Sequence, residues 1–314
     1  MTGKSTLVTA LVGVTLIGSV LAGCGSAPTA ATNAGGVAGA AATAQKIDQS
    51  AAVAAGPVGQ NLPSTPTLDK IRQQGALVFA GARNGLGFSQ LDPTTGKVSG
   101  FDEGIAELLA KYLLGKPNVK MSQGSSDTRE TLLQNHTIDA AIETYTITPA
   151  RAQLVNFAGP YYLAASGIVV KSTDSGITKV SDLAGKKVAT ESGAAKDALV
   201  AAAPTAQPVL FDTTAECITA LEQGRVDAVT LNNALLLGAV ATKPDVKMIS
   251  ATYSSNPFGI GLAKDDPRFK TIVNQFLNTI FTDGVWTTLW KDTVGTLLKT
   301  PPPAPPKLGS AAGS

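Results

Sequence analysis

The chain has 314 residues, of which 15% are charged and 5% aromatic, and its formal net charge is only +2. A charge this small provides no basic surface of the kind that nucleic-acid binding needs. A single histidine also excludes a histidine-rich metal site and leaves little imidazole for catalysis. Recognition must depend on carboxylates, arginines, hydroxyls and backbone groups, in a chain long enough for one large core or two lobes.

The N-terminal residues 1–23 have the pattern of an export signal. An uncharged apolar run from Leu7 to Leu21 is short for a membrane span but suits a signal peptide. The tripeptide Leu21-Ala22-Gly23 immediately before Cys24 resembles the bacterial lipobox, in which the cysteine is acylated and becomes the first mature residue. We therefore expect a lipid anchor at Cys24, on the extracytoplasmic face of the cell membrane.

Two segments have compositions that predict disorder. Residues 24–66 consist mainly of Ala, Gly, Ser, Thr and Pro, so we expect a disordered tether between the anchor and a folded body. Residues 300–314 begin with a proline-rich run and predict an extended, disordered tail. The folded body is expected to lie between these segments.

Within the body, short apolar runs alternate with helical patterns. Leu77-Val-Phe-Ala-Gly is typical of a strand, and residues 101–114 place apolar side chains at helical spacing. The alternation continues through 119–149 and 187–240, which predicts an α/β protein with parallel strands. Ligands of such sheets bind beyond the carboxyl ends of the strands.

Two extended segments, 159–171 and 253–264, interrupt this alternation. If both cross between lobes, the first lobe comprises 67–163 plus 260–299 and the second comprises 164–259. The stretch between the two segments is itself a complete α/β unit of domain size, which favours two lobes. The alternative is a single continuous sheet with ordinary edge strands.

Four motifs of the body occur in a recognisable order. They are Gly100-Phe-Asp-Glu-Gly-Ile-Ala-Glu, the long segment 138–162, Gly224-Arg-Val-Asp-Ala-Val-Thr and Asp283-Gly-Val-Trp. Together they resemble the amino-acid family of ABC-transporter solute-binding proteins, over roughly residues 67–295. The resemblance implies a periplasmic-binding-protein type II fold, with two α/β lobes joined by two hinge segments. It also implies a monomer with a small-molecule ligand and a membrane-embedded ABC permease as partners, and without a cofactor or metal.

The resemblance assigns Arg151 to the α-carboxylate of an amino acid, because a guanidinium fork matches both carboxylate oxygens. Thr144 and Thr146 lie two apart in a predicted extended stretch, so they face the same way and can donate to the ligand. Ala194 and Ala195 stand where the family commonly has hydroxyl residues. They can offer only backbone N–H groups at a helix start, which still favour an anion.

Two further arginines point to a second carboxylate on the ligand. Arg83 and Arg129 fall at positions similar to those of arginines in acidic-amino-acid binders of the family. A neutral ligand would leave them unpaired in a closing cleft, which is costly. The resemblance therefore implies glutamate or aspartate. Arg129 could instead form a local surface pair with Asp127 or Glu130.

The ammonium group of the ligand has no family-type partner in this sequence. Asn232 stands where the family usually has an aspartate, and an amide accepts a hydrogen bond without carrying charge. We expect Glu143 to replace the missing carboxylate; the alternative is that Glu143 points away. If it does, an amine-free dicarboxylate, or an amine held by backbone carbonyls, stays open, and glutamine is a further possible ligand.

Three functions are compatible with these residues. The first is capture of the ligand by hinge closure and delivery to the permease. The second is a sensor of amino acids or dicarboxylates that signals to a membrane partner. The third is an enzyme similar to cyclohexadienyl dehydratase, with Glu143 or Glu191 as general acid. The sequence shows no nucleophile–base pair and no phosphate loop, so we expect binding without catalysis.

Overall fold

The computed structural model describes residues 47–241, 243–298 and 301–314. The predicted signal segment, Cys24 and residues 24–46 of the predicted tether lie outside the described residues. Within the described part of the chain, no helix combines the length and the apolar character needed to cross a membrane.

Helices and strands alternate through the body. A 3-10 helix spans Val180–Leu183. The α-helices of the described residues are α1 (Ser50–Ala55), α2 (Pro66–Gln74), α3 (Phe101–Leu114), α4 (Arg129–Gln134), α5 (Pro149–Leu154), α6 (Ala194–Ala202), α7 (Thr214–Glu222), α8 (Asn233–Val240), α9 (Pro267–Thr282), α10 (Val285–Asp292) and α11 (Val294–Leu298). The strands are β1 (Leu77–Gly81), β2 (Asn84–Gly85), β3 (Ser89–Leu91), β4 (Val98–Ser99), β5 (Val119–Gln123), β6 (Ala140–Ala141), β7 (Asn156–Lys171), β8 (Lys187–Thr190), β9 (Gln207–Leu210), β10 (Ala228–Asn232), β11 (Val246–Met248) and β12 (Tyr253–Leu262).

Capping residues determine where several helices begin. The Thr148 side chain accepts a hydrogen bond from the Arg151 backbone N–H, and Pro149 occupies the first helical position of α5. Thr213 and Glu216 form a reciprocal capping box at the start of α7. Asn232 caps α8 by accepting from the Leu235 backbone N–H. These caps fix the strand-to-helix junctions at which parallel α/β sheets bind their ligands.

Two long strands join the halves of the molecule. In the described residues, nine strands form a mixed sheet with the main order β5-β1-β6-β12-β7-β10-β8-β9, and β11 pairs with β7. The central strands β7 and β12 are antiparallel partners, paired from Tyr253 with Ser166 to Leu262 with Asn156. We call the half built on β5, β1 and β6 lobe 1, and the half built on β10, β8 and β9 lobe 2. The predicted boundaries, 163/164 and 259/260, fall inside the two crossing strands.

The sheet is nevertheless continuous, because the two crossing segments hydrogen-bond to each other. Each lobe has its own hydrophobic packing beside this shared strand pair. In lobe 1, Phe101 and Trp286 belong to a large aromatic-rich cluster, and Tyr145 belongs to a smaller one. In lobe 2, Cys217 and Leu199 belong to two separate clusters. The observed architecture thus combines two lobes with the single sheet of the alternative prediction.

The prediction of disorder is wrong for the end of the segment 24–66. Residues 50–55 form α1, in which Ala52 and Val53 are buried in the large cluster of lobe 1. Lys111 on α3 donates through its Nζ to the backbone oxygens of Val53 at 3.0 Å and Ala54 at 2.8 Å. Small side chains permit this close packing, which composition alone does not reveal.

The prediction of a disordered tail is likewise wrong for residues 301–314. This segment lacks regular secondary structure but packs along lobe 1. Leu308 contacts the large cluster and Ala311 the smaller one. The Gly309 backbone N–H donates to the Gly159 carbonyl of β7 at 3.0 Å. Two apolar side chains after the prolines hold this segment on the body.

Candidate ligand-binding cleft

A cavity of about 760 Å³ lies where the strands of both lobes end. Its lining comes from the residues that follow β1, β5 and β6 in lobe 1, and β8, β9 and β10 in lobe 2. This is the position, beyond the carboxyl ends of the strands, at which α/β sheets bind ligands. All nine residues that the sequence analysis proposed for ligand binding line it: Arg83, Arg129, Glu143, Thr144, Thr146, Arg151, Ala194, Ala195 and Asn232.

Arg129 is the most deeply buried cation of the cavity, with 4% of its surface exposed. Its Nη1 donates to the Glu143 carbonyl at 3.1 Å, and its Nη2 donates to the Ser126 hydroxyl at 3.3 Å. The nearest carboxylate is Glu143, whose Oε2 lies 4.0 Å from Nη1, so the predicted local pair with Asp127 or Glu130 is replaced. The buried Nε has no hydrogen-bond partner among the described residues. A guanidinium in this state favours an anion beside it.

Arg151 lies inside the first turn of α5 and extends towards lobe 2. Its Nη1 donates to the Thr146 carbonyl at 3.0 Å, and its Nε is 3.4 Å from Glu130 Oε1. Burial, and after it the charge of Arg129, lowers the pKa of Arg151. A Cβ atom at Gly193 would lie 2.9 Å from Arg151 Nη2, so the guanidinium touches the backbone of lobe 2.

Tyr145 joins the two guanidiniums, and the sequence analysis missed it. The Cζ atoms of Arg129 and Arg151 lie over its ring, 4.0 and 5.1 Å from the ring centroid. Its hydroxyl donates to Glu130 Oε1 at 2.7 Å, and the residue is fully buried. Burial raises the pKa of Tyr145, so the phenol stays protonated. The sequence did carry a signal for Tyr145. It lies between Thr144 and Thr146, so in an alternating stretch its side chain points away from the ligand.

Asp102 is a second residue that the sequence analysis missed. Its Oδ2 accepts from the Thr144 backbone N–H and its Oδ1 from the Tyr161 hydroxyl, both at 2.7 Å. Burial raises the pKa of Asp102 to about 7. Thr144 has φ of 43°, so it is left-handed rather than extended as predicted, a conformation that costs energy for a β-branched residue. The bond to Asp102 stabilises this turn, and Thr144 and Thr146 both still line the cavity.

Glu143 is buried beside Arg129 rather than directed to solvent. It is 9% exposed, and its Oε2 has no hydrogen-bond partner among the described residues. Burial raises the pKa of Glu143, and the charge of Arg129 opposes this. The carboxylate therefore retains capacity to accept from a ligand.

Lobe 2 lines the cavity with the start of a helix, with apolar and hydroxyl side chains, and with two carboxylates. Ala194 and Ala195 begin α6, so their N–H groups lie at a helix N-terminus. The Asn232 oxygen already accepts from the Leu235 N–H at 2.9 Å. Glu191 accepts from the Thr214 hydroxyl at 2.9 Å, and burial raises the pKa of Glu191.

Lobe 2 also bonds directly to lobe 1. The Ser192 hydroxyl donates to Asp127 Oδ1 at 3.1 Å across the cleft. Arg83, by contrast, lines the cavity from an exposed position. In the ranges that the structure describes, no group of three or more His, Cys, Asp or Glu side chains is arranged to hold a metal ion.

A central β7–β12 crossing and a cavity between two α/β lobes define a periplasmic-binding-protein type II fold. The chain belongs to the bacterial extracellular solute-binding proteins, family 3, whose model matches residues 78–295. The family resemblance in the sequence is thereby confirmed.

Several relatives carry names of amino-acid-binding proteins. The glutamine-binding protein of Geobacillus stearothermophilus is 39% identical over 215 residues, which cover 67% of this chain and 81% of that protein. The glutamate-binding protein GluB of Corynebacterium glutamicum is 30% identical over 228 residues, covering 67% of this chain and 75% of that protein.

Solved structures show the same fold. A solute receptor for L-cysteine from Neisseria gonorrhoeae matches with a TM-score of 0.70 and 26% identity, covering 75% of this chain and 97% of that one. An ancestral amino-acid-binding protein, described as a precursor of cyclohexadienyl dehydratase, matches with a TM-score of 0.66 and 30% identity, covering 73% and 99%.

Proposed function

We propose that this protein is a solute-binding lipoprotein of an ABC importer that captures an acidic amino acid, glutamate or aspartate, by closure of its lobes. The observation that carries the proposal is a pair of guanidiniums on one cavity wall, that of the buried Arg129 and that of Arg151, whose side chain is 12% exposed. Burial of two cations side by side is costly, and a ligand with two carboxylates offsets that cost.

The proposed pose uses each carboxylate differently. Arg151, Thr144 and Thr146 hold the α-carboxylate from lobe 1, and the first N–H groups of α6, at Ala194 and Ala195, approach it from lobe 2. Arg129 then holds the side-chain carboxylate, and Arg83 adds positive charge to the cavity. Contacts from both lobes to one small anion favour the closed form, which the permease recognises.

The ammonium group is assigned to Glu143 in this pose. Its Oε2 is buried with no hydrogen-bond partner in the part of the chain that the structure describes, so an ammonium donor would satisfy it. Asn232 supports the same group as a neutral acceptor with one lone pair already used by the helix cap. This places the ammonium partner on lobe 1 in place of the family's usual aspartate on lobe 2.

Glutamine is the second candidate ligand, because the relative that is 39% identical is named a glutamine-binding protein. Calorimetry with L-glutamate, L-aspartate, L-glutamine and succinate distinguishes the candidates. We expect glutamate or aspartate to bind most tightly. Tight glutamine with weak glutamate would overturn the acidic ligand, and succinate equal to glutamate would overturn the amino acid.

The anchor and the transport role are tested separately. Cys24→Ala should release the protein from the membrane fraction, and mass spectrometry of the mature N-terminus should show a diacylglyceryl mass in the unaltered chain. Deletion of the gene should abolish uptake of the ligand that calorimetry identifies. Normal uptake with an altered growth response to that ligand would instead support a sensor that signals to a membrane partner.

A further inference from the structure

Two positively charged side chains share one aromatic ring beneath the cavity. The Cζ atoms of Arg129 and Arg151 lie 4.0 and 5.1 Å from the Tyr145 ring centroid. The two cations repel each other, since the charge of Arg129 contributes to the lowered pKa of Arg151. Attraction of each guanidinium to the π-face of a buried ring opposes this repulsion.

The Tyr145 ring is itself firmly held. Its hydroxyl donates to Glu130 Oε1 at 2.7 Å, and the same oxygen lies 3.4 Å from Arg151 Nε. The Phe157 ring packs edge-on at a centroid distance of 4.6 Å. A Cβ atom at Gly261 would lie 2.6 Å from Tyr145 Cε1, so β12 presses directly on the ring. A fully buried ring with these neighbours has little room to shift.

Tyr145 therefore fixes the two guanidiniums relative to each other without lining the cavity. A ligand with one carboxylate needs only one of them, whereas a ligand with two carboxylates needs both at a set separation. Removing the ring would loosen the two cations, because only their hydrogen bonds and the neighbouring carboxylates would then oppose their repulsion. The loss would fall on ligands that engage both.

We propose that Tyr145 is a positioning residue that sets selectivity for ligands with two carboxylates over ligands with one, by holding Arg129 and Arg151 as a pair. This inference rests on the proposed function, since it assumes that both arginines meet the ligand.

The test measures a ratio of affinities rather than a single affinity. Dissociation constants for L-glutamate and L-glutamine are measured by calorimetry for the unaltered protein, Tyr145→Leu and Tyr145→Phe. Tyr145→Leu should lower the preference for glutamate over glutamine about tenfold, since cation–π contacts of this strength correspond to that factor. Tyr145→Phe keeps the ring and should leave the preference within about threefold, which corresponds to the loss of one hydrogen bond.

A matched control separates positioning from general destabilisation. Phe276→Leu removes a fully buried ring from the large cluster of lobe 1 and should leave the affinity ratio unchanged. If Tyr145→Leu does not fold, Tyr145→Met fills much of the same volume without a ring and tests the same point.

The outcomes are distinct. Equal loss of glutamate and glutamine affinity in Tyr145→Leu, or an unchanged ratio, would show a structural role only and overturn the inference. A large drop in the ratio in Tyr145→Phe would also overturn it, because the hydroxyl rather than the ring would then be responsible. An unaltered protein that prefers glutamine would refute the acidic-ligand proposal before any variant is measured, and this inference with it.

Discussion

The two walls of the cavity, one from each lobe, differ in the chemical groups that line them. Lobe 1 supplies buried charge: Arg129, Arg151 and Glu143 lie among partners from their own lobe. Lobe 2 supplies a helix start at Ala194, a neutral cap at Asn232 and the carboxylate of Glu191, and among its described residues no Lys or Arg lines the cavity. Under the proposed function, lobe 1 recognises the carboxylates of the ligand and lobe 2 closes over it.

The division has a physical cause. Buried cations need fixed neighbours to offset their desolvation, and those neighbours must be in place before the ligand arrives. Lobe 1 has them in the Thr146 carbonyl and Glu130. Lobe 2 meets this wall at Gly193, where an added Cβ would lie 2.9 Å from Arg151 Nη2, so the guanidinium would have to shift.

Replacing the central cation should have the largest effect. Arg151→Lys keeps the charge but loses the planar fork, so we expect binding of L-glutamate to weaken about 100-fold, or about 2.7 kcal/mol. Calorimetry measures this. Arg72→Lys, at an exposed surface pair with Asp69, is the control and should bind normally. If the affinity for L-glutamate falls less than about threefold, which corresponds to a weak hydrogen bond, Arg151 does not contact the ligand.

The contact of lobe 2 with Arg151 should show the next largest effect. Gly193 has φ of 76°, and an added Cβ would also lie 2.9 Å from Arg151 Nη2. Gly185, on the same lobe, has φ of 69° with open space around it. Gly185→Ala should lose about 1 kcal/mol of folding stability, and Gly193→Ala should lose more, because its ψ of −136° lies outside the left-handed helical region. Only Gly193→Ala should also weaken ligand binding, about tenfold through hindered closure.

Equal affinities in the two glycine variants would contradict this expectation. The cost at residue 193 would then be backbone strain alone, and the close approach to Arg151 would not matter for closure.

The ammonium partner can be assigned to one wall by comparing two carboxylates. Glu143→Gln should weaken L-glutamate about tenfold and should not weaken glutarate, which lacks the amine. Glu191→Gln should change little, because Glu191 is already bonded to Thr214. The opposite pattern would place the ammonium group on lobe 2.

The same contact predicts a pH dependence. Burial raises the pKa of Glu143 above its ordinary value, so acidification protonates it earlier than a surface glutamate. Protonation removes the charge that attracts the ammonium group. As the pH falls, the affinity for L-glutamate should therefore begin to drop at a higher pH than an ordinary glutamate would give, and this drop should be smaller in Glu143→Gln. Parallel curves for the two proteins would contradict the assignment.

The direct bond between the lobes should have the smallest effect. Ser192→Ala removes the exposed bond to Asp127 and should weaken binding about twofold, since such bonds contribute about 0.5 kcal/mol. Ser172→Ala removes a bond within lobe 2, to the Pro244 carbonyl, and should leave affinity unchanged. A tenfold loss in Ser192→Ala would mean that this bond, rather than the ligand, holds the lobes closed.

Residues with a local signature were predictable. Thr148 and Pro149 indicate the start of α5 and so place Arg151 in its first turn. The residues that follow each predicted strand, Asn232 and Ala194 among them, do line the cavity. Their positions depend on the chain nearby, where periodicity and capping act.

Residues with distant partners were missed. Asp102 bonds to Thr144, 42 positions away, and to Tyr161, 59 positions away. The packing of the tail was equally hard to predict, because its backbone hydrogen bond joins Gly309 to Gly159, which is distant in sequence. Such contacts depend on which surfaces the fold brings together, and the composition of a segment does not predict those surfaces.

The sequence by itself determined the alternation of elements, the helix starts and the kinds of charge available to a ligand, because these follow from propensity, capping and residue chemistry along a short stretch of chain. Tertiary structure alone decided that Arg129 and Arg151 share one ring, that Glu143 Oε2 is buried with no hydrogen-bond partner among the described residues, and that a Cβ at residue 193 would crowd a guanidinium. Burial and proximity set the energy of a charge, and both arise only when distant segments pack.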